Sequence, residues 1–393
     1  MTTPGLPEEP GVKASAVAEP ASIEQALVRL RDAADSGAAI LPWGGGCFIE
    51  LAGPVRQADL LLKMQGINQA VFYEPEELVV RVEAGMTLAS LNSLLAEKGQ
   101  EVPWDFPWPE RQTVGGILAS GLAGPRRTGA GSPRNHLLGV TLALTDGRVL
   151  RTGSRVMKNV AGYDLTRLVA GSFGSLGVIL EAAIRVRPVP EDMWSASARF
   201  ASGPAVAGSV LELGRSNLAL AFLELRGNPG DYVLSAGVEG MREDVEAQRL
   251  AVLAILARGG KVEGEYRGAA ARARLDGLAG EPWKSSGPKF RVSFPPDRLA
   301  GVLQAAREQV FSPVLGGVAR LVPGRDLTMM EVRERVEELA AVVGPLGGWV
   351  VPECSKVGQE EFMPAPIRRL NQGIRRIFDG AGCMSAGRSV PGA

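Results

Sequence analysis

The sequence predicts an α+β protein whose two domains meet near residue 190. Three observations lead there. Helical and strand-like segments alternate over the first 190 residues around three glycine-rich turns, at residues 44–46, 112–132 and 171–179. Pro188, Pro190, Glu191 and Asp192 then break the pattern, since proline supplies no donor to a continuing ladder. Beyond that break, strands and helices resume with few motif-like residues. The length, 393 residues, fits two or three domains at roughly 100–200 residues each, and 45% apolar content is enough for a sizeable core.

Residues 1–20 are rich in Pro, Ala, Glu and Gly, with neither a basic start nor an apolar run. They are expected to form a disordered leader and not a signal peptide. Order is expected from Ser22-Ile23-Glu24-Gln25, a capping-box pattern followed by Ile23, Leu27, Leu30 and Ala33 at helical spacing. A short buried strand at residues 38–42 runs into the first glycine turn. Strands follow at 59–64 and 78–83, and a helix at 87–98 stops at Gly99. Asp146-Gly147 marks a hairpin between strands at 137–145 and 148–152. A short helix at 163–170 precedes a long strand at 176–186.

The second domain, residues 191–350, reads as strands near 194–200, 219–224, 232–237 and 289–294. Its helices are expected at 242–257, 297–310 and 329–343. No internal repeat is visible. The last segment, 351–393, carries a basic amphipathic helix at 367–378, then Asp379-Gly380-Ala381-Gly382 and Gly387-Arg388.

Lys+Arg and Asp+Glu both total 43, so the one-sided basic field of a nucleic-acid binder is missing. Cys47, Cys354 and Cys383 are widely spaced, which leaves no cluster for zinc or an iron–sulfur centre and points to a reducing compartment. The longest apolar run, residues 250–257, is far short of the ~20 residues that span a bilayer. These features place the chain in the cytoplasm, at most peripheral to a membrane, and predict no metal.

The glycine turns carry the chemistry. Successive small residues let backbone N–H groups converge on one concavity without Cβ interference, which suits a pyrophosphate. Neither G-x-G-x-x-G nor G-x-x-x-x-G-K-[ST] occurs, so a dinucleotide here requires a fold other than the Rossmann or phosphate-loop type.

The motifs P-W-G-G-G, V-E-A-G-M-T-L, Q-T-V-G-G, G-S-P-R-N-H-L-L-G-V, M-K-N-V-A-G-Y-D-L and G-S-F-G-S-L-G-V-I occur in that order. Together they resemble a PCMH-type FAD-binding domain of the vanillyl-alcohol-oxidase flavoprotein family. The G-P-R-R and M-K-N-V-A-G-Y-D-L versions are similar to the FAD-binding subunits of bacterial glycolate oxidases. The resemblance covers residues 38–190 and the closing D-G-A-G…G-R, where Gly380 stands for the usual proline. It implies an FAD domain of two α+β subdomains over residues 21–190, an antiparallel-sheet cap over 191–350, and a C-terminal segment that returns to the FAD domain.

The resemblance also implies non-covalent FAD. Trp43, Gly44, Gly45, Gly46, Cys47 and Phe48 would lie on its pyrophosphate side. Thr113, Val114, Gly115, Gly116, Ser120, Gly129, Gly131 and Ser132 would wrap the pyrophosphate and the flavin edge. Gly177, Val178 and Ile179 would face the adenine-ribose end, with Pro103 and Trp104 flanking the cofactor. Lys158 and Arg126 match positions that bind a substrate carboxylate in relatives, against the alternatives of a salt bridge or a contact with FAD phosphate.

His136 is the sole histidine and reads as structural. The histidine-bearing H-G-D-G-N-type cap segment of related 2-hydroxy-acid dehydrogenases is missing, so no catalytic base is identified. The implied function is oxidation of a 2-hydroxy acid, glycolate or D-lactate, to the 2-oxo acid. The implied partners are a homologous FAD-binding catalytic subunit and an iron–sulfur subunit. Two alternatives stay open: a self-sufficient FAD-dependent oxidoreductase for another alcohol or hydroxy acid, and a flavin-free structural subunit.

Overall fold

Two sheets build the first domain in the computed structural model, which describes residues 12–55, 58–153, 164–285 and 287–384. Strands β1 (Ala16–Ala18) and β2 (Ile40–Trp43) pair in parallel with β3 (Leu60–Lys63), which lies between them. Between β1 and β2 runs the helix Ile23–Asp35, where Ser22 caps the Gln25 N–H; the helix buries Ala26, Leu30 and Ala33 at helical spacing. Strand β1 corrects the expected leader of residues 1–20 at its end, while residues 1–11 of that leader lie outside the described residues. Its three residues are ordered by the open edge of β3, a partner some forty positions away that local composition does not reveal.

The second sheet holds β4 (Ala70–Glu74) and β5 (Val79–Glu83). Next in the chain comes the short β6 (Gln100–Glu101), followed by β7 (Leu137–Ala143), β8 (Val149–Gly153), β9 (Val178–Arg185) and β10 (Arg187–Pro188). The spatial order is β4-β5-β9-β7-β8, antiparallel throughout, while β6 pairs with β10. Gly147, at φ +82°, closes the β7–β8 hairpin in the left-handed region that glycine enters without cost. The helices Leu88–Ala96 and Val114–Ser120 bury Leu88, Leu91, Leu95, Ile117 and Leu118 against Val80 and Val82 of this sheet.

The second domain is one eight-stranded antiparallel sheet. Its strands are β11 (Asp192–Phe200), β12 (Leu220–Asn228), β13 (Asp231–Gly240), β14 (Lys261–Arg267), β15 (Lys289–Ser293), β16 (Gln309–Pro313), β17 (Val318–Val322) and β18 (Trp349–Glu353). Their order, β14-β11-β13-β12-β16-β17-β15-β18, reveals a repeat. Each half is a βαββαβ unit of ferredoxin-like connectivity, and the halves join along β12 and β16. Helices Gly203–Arg215 and Arg242–Gly259 serve the first half, Leu299–Ala305 and Met329–Val343 the second. Val206, Leu256, Leu303 and Leu339 of these helices share one core with Leu223, Leu234, Phe290 and Leu321. The repeat is hidden in the sequence because the halves share a pattern of apolar alternation and not residues.

One local expectation changes. The helix expected at 297–310 ends at Ala305, and Val310 and Phe311 enter β16, where β-branched and aromatic side chains pack well. The chain then returns to the first domain. Gln359 Nε2 donates to the Leu51 carbonyl at 2.7 Å, and Met384 forms a bridge with Ile40 after the helix Ala365–Phe378.

Arg126 fastens the two domains. It is 3% exposed, with Nε 2.8 Å from Asp105, Nη1 2.7 Å from Glu101 and 3.5 Å from Glu239 on β13. Arg187 reaches Glu101 at 2.7 Å and Glu239 at 2.6 Å. Burial pulls the Arg126 pKa down, but Asp105, Glu101 and Glu239 outweigh it and hold the guanidinium above its ordinary range. The expectation that Arg126 meets a substrate carboxylate is therefore corrected, because its donors are spent on protein carboxylates. Arg126→Ala strands those carboxylates out of water. It is expected to destabilise the chain by about 3–5 kcal/mol in denaturant unfolding, and a loss below about 1 kcal/mol would contradict this role.

Candidate functional site

The three glycine turns meet at one cleft of about 740 Å³. Strand β2 and the turn after it deliver residues 43–48 to it, the start of the helix Val114–Ser120 delivers Thr113, Gly115 and Gly116, and the entry to β9 delivers Gly177, Val178 and Ile179. Backbone proximity dictates the glycines. A Cβ on Gly44 would collide with Thr113 Oγ1, and one on Gly45 with the Arg111 carbonyl oxygen. Arg111 Nε donates to the Gly45 carbonyl at 2.6 Å, locking the first turn to the second. Gly177, at φ +149°, would place a Cβ 2.5 Å from the Ala143 carbonyl. Thr113 caps its helix by accepting the Gly116 N–H. Among the described residues, the N–H groups of Gly45, Gly46 and Cys47 donate to no backbone carbonyl. They remain available for an anion in the cleft.

Of the residues expected at a cofactor, Trp43, Gly44, Gly45, Gly46, Cys47, Phe48, Thr113, Gly115, Gly116, Ser120, Gly177, Val178 and Ile179 line this cleft. Others do not. Val114 belongs to the buried core. Trp104 is also buried there and donates from Nε1 to His136 Nδ1 at 3.3 Å, while the buried Pro103 beside it does not line the cleft. Gly129 packs against β12, where a Cβ would lie 2.6 Å from the Leu220 carbonyl, and Gly131 abuts Asn135. Lys158 lies outside the described residues. His136 is buried, and burial followed by Arg185 pushes its pKa down to about 4, so the ring is neutral near pH 7. Burial pushes the Cys47 thiol up to about 11, which leaves no thiolate to attack a flavin.

A second cavity, of about 1210 Å³, lies between the domains and shares Ser120 with the cleft. Arg127 and Arg134 of the first domain and Arg291 and Arg320 of the sheet line it, and no carboxylate does among the described residues. Arg320 is held by Glu353 through bonds of 2.7 and 3.2 Å, with Arg291 3.8 Å from the same carboxylate. Arg127 makes no ion pair among the described residues. Burial, then repulsion from Arg320 and Arg291, holds its guanidinium below the ordinary range. Arg320 also stacks over Trp283 at 5.1 Å, and Trp283 packs on Phe48 of the first turn at 4.7 Å.

A third, smaller cavity adjoins along Ala123, Pro313 and Arg320, and contains Glu224 of β12. Glu224 Oε1 is buried with no hydrogen-bond partner. Burial raises its pKa to about 8 with help from Asp105 and Glu281, against the pull of Arg320. The sheet residues were not identified from sequence. Lys289-Phe290-Arg291-Val292-Ser293 alternates polar and apolar as a solvent-facing strand does, but its polar face is turned to the first domain.

Residues 14–153 match the family model described as FAD binding domain. That segment is an FAD-binding domain. The sheet and helix layout extends the likeness over nearly the whole chain. A solved alkyldihydroxyacetonephosphate synthase superimposes with a TM-score of 0.71 at 16% identity, covering 94% of this chain and 76% of that one. The chain therefore has the PCMH-type flavoprotein fold, an α+β FAD domain with an antiparallel-sheet cap. Over 121 residues it is 46% identical to glycolate oxidase subunit GlcE of Escherichia coli strain K12, covering 30% of this chain and 35% of that protein. Over 190 residues it is 30% identical to glycolate oxidase subunit GlcD of Bacillus subtilis strain 168, covering 48% and 40%. The matched region spans less than half of either relative.

The residues of the cleft fit the cofactor, because it is lined by Gly45, Gly46 and Cys47, whose N–H groups donate to no backbone carbonyl among the described residues. Gly45→Ala should lower the FAD retained on purification by at least about tenfold, a loss near 1.4 kcal/mol. Far-ultraviolet circular dichroism should be unchanged. The chain and its Cys47→Ser variant should both keep FAD and both release it on acid precipitation; flavin that stays with the precipitate of the unsubstituted chain alone would mean a covalent link at Cys47.

Proposed function

We propose that this chain is an FAD-dependent oxidoreductase acting on the CH–OH group of a 2-hydroxy acid, as the FAD-binding subunit of a glycolate oxidase or dehydrogenase. The observation that carries the reading is the arginine cavity, which shares Ser120 with the FAD cleft. A 2-hydroxy acid presents a carboxylate beside its reacting carbon, and planar guanidinium groups grip carboxylates with two parallel hydrogen bonds. Arg127 and Arg291 have donor capacity to spare, whereas Arg320 is anchored by Glu353.

Bound FAD supplies the acceptor for the hydride that leaves the carbon. The chain's residues supply the rest. Arg127 and Arg291 hold the carboxylate and so fix the alcohol carbon. The hydroxyl proton passes to Glu224, the orphan carboxyl in the adjoining cavity, and the product is the 2-oxo acid. A carboxylate whose pKa sits near 8 is matched to accepting a proton near neutrality. Ser120 marks the junction of cleft and cavity, its hydroxyl held by the Ile117 carbonyl.

The assembly, by similarity to the GlcE and GlcD subunits, would contain a homologous FAD-binding subunit, with an iron–sulfur subunit to carry electrons away. No described helix is long and apolar enough to cross a membrane. A cytoplasmic site, with peripheral attachment through the assembly, accords with that.

Anaerobic mixing of the FAD-loaded chain with glycolate or D-lactate should bleach the flavin. Below about pH 8 the rate should rise about tenfold per pH unit, then level off as Glu224 becomes fully ionised. Glu224→Gln should slow bleaching by about 10²–10⁴-fold while the FAD content stays the same. Bleaching that appears only when a homologous subunit is added would place the substrate chemistry there instead.

A further inference from the structure

We infer that an apolar groove on the first domain docks an amphipathic helix of another protein, one whose apolar ridge is flanked by carboxylates. The groove, of about 1170 Å³, lies between the β7–β8 hairpin, the helix Leu165–Val169 and the helix Ala365–Phe378. It shares no lining residue with the FAD cleft or the arginine cavity, so its occupant would bind away from the chemistry proposed above. Among the described residues its walls are apolar except for Arg148 and Asp164. Each of those already has a partner, Asp146 at 2.6 Å and Arg167 at 3.4 Å.

The helix Ala365–Phe378 is seated by one edge. Phe378 is part of the first domain's core, Ile374 packs against it, and Asn371 is buried. Leu370 and Ile377 line the groove and yet are 64% and 71% exposed. At about 100° per residue, Leu370, Ile374 and Ile377 fall on one stripe. Their i, i+4, i+7 spacing is the one by which a helix seats against a second helix. Leu165 and Leu168, across the groove, also pack on the core. An added apolar ridge would therefore extend packing that is already there, and large exposed apolar side chains gathered in one concavity mark such contacts.

The charges select the occupant. Arg369 and Arg376 are seven residues apart, so they stand in a column beside the stripe. Both are exposed, and neither makes an ion pair among the described residues. Arg375, by contrast, turns inward to Asp379 at 3.9 Å and to the Met384 carbonyl at 2.5 Å. A second copy of this chain would bring an identical arginine column to the seam, like charge against like. A bilayer is entered by an apolar face that projects, whereas these side chains line a concavity. A helix with Asp or Glu two turns apart beside its apolar ridge meets both demands. The ridge fills the groove, and the carboxylates reach Arg369 and Arg376.

The test uses the FAD-loaded full chain and fluorescently labelled helical peptides of about 18 residues, or five turns. One carries leucines at i, i+4 and i+7 with glutamate flanks, one has lysine flanks, and one has the glutamate sequence scrambled. By fluorescence anisotropy the first should bind at least about tenfold tighter than either of the others. Leu370→Ala combined with Ile377→Ala should weaken it by at least about tenfold at unchanged FAD content. Arg369→Gln combined with Arg376→Gln should narrow the preference over the lysine peptide to about twofold. Equal binding of the ordered and scrambled glutamate peptides, or no binding of either, overturns the inference. Self-association in sedimentation that is lost in Ile377→Asp would assign the groove to a second copy and overturn it too. Cosedimentation with phosphatidylglycerol vesicles, lost in the same variant, would assign it to lipid with the same consequence. None of these outcomes touches the substrate reading, which rests on the other cavity.

Discussion

The buried contact between Arg126 and the carboxylates of Asp105, Glu101 and Glu239 sets how the two domains meet. Charges removed from water are tolerated only when paired with good geometry, so this contact admits one arrangement and penalises displacement. Glu239 stands on β13 of the sheet, and Arg187 bridges the same two glutamates from β10. The polar face of the sheet is thereby held over the first domain, and Arg291 and Arg320 come to line a cavity with Arg127. Had that face been left to solvent, Arg291 and Arg320 would be ordinary surface residues.

The glycine cleft was legible in the sequence for a physical reason. Close backbone approach can be satisfied only by glycine, and it leaves a mark at each position where it occurs. Gly44 and Gly45 are needed because Thr113 and Arg111 press against them, and Gly177 because Ala143 does. Such constraints are local, fixed in residue type and repeated in order along the chain, so the turns and most of the lining could be named. Trp104 shows the converse. A tryptophan near a glycine motif carries no mark of direction, and its partner turned out to be His136 in the core.

The sheet domain was less legible because its information is relational. Period-two alternation in Lys289-Phe290-Arg291-Val292-Ser293 says that one face is apolar, and helices cover that face through Phe290 and Val292. It does not say whether water or protein lies on the other. Nor does it say that two βαββαβ halves join at β12 and β16, since that pairing uses backbone groups that every residue carries. Glu224 belongs to the same class. Its orphan carboxyl is unusual only because Asp105, Trp283 and Arg320 surround it, contributed by segments distant in sequence.

Arg126 and Arg127 show how finely this distinction can cut. They are adjacent, identical in type, and open the short helix Arg127–Ala130, yet they meet opposite fates. The Arg126 backbone N–H and Nε both donate to Asp105, at 2.9 and 2.8 Å, which turns its guanidinium into the seam and neutralises it there. Arg127, one position further around the turn, faces Arg291 and Arg320 instead and finds no carboxylate among the described residues. A saturated guanidinium stabilises the fold and has little left for a ligand; an unsaturated one keeps its donors for an anion. The sequence motif G-P-R-R contains both roles, and the assignment depends on which arginine Asp105 contacts. Residues 103–106 run through the core with Trp104 and Phe106 buried, and Asp105 between them accepts from Arg126.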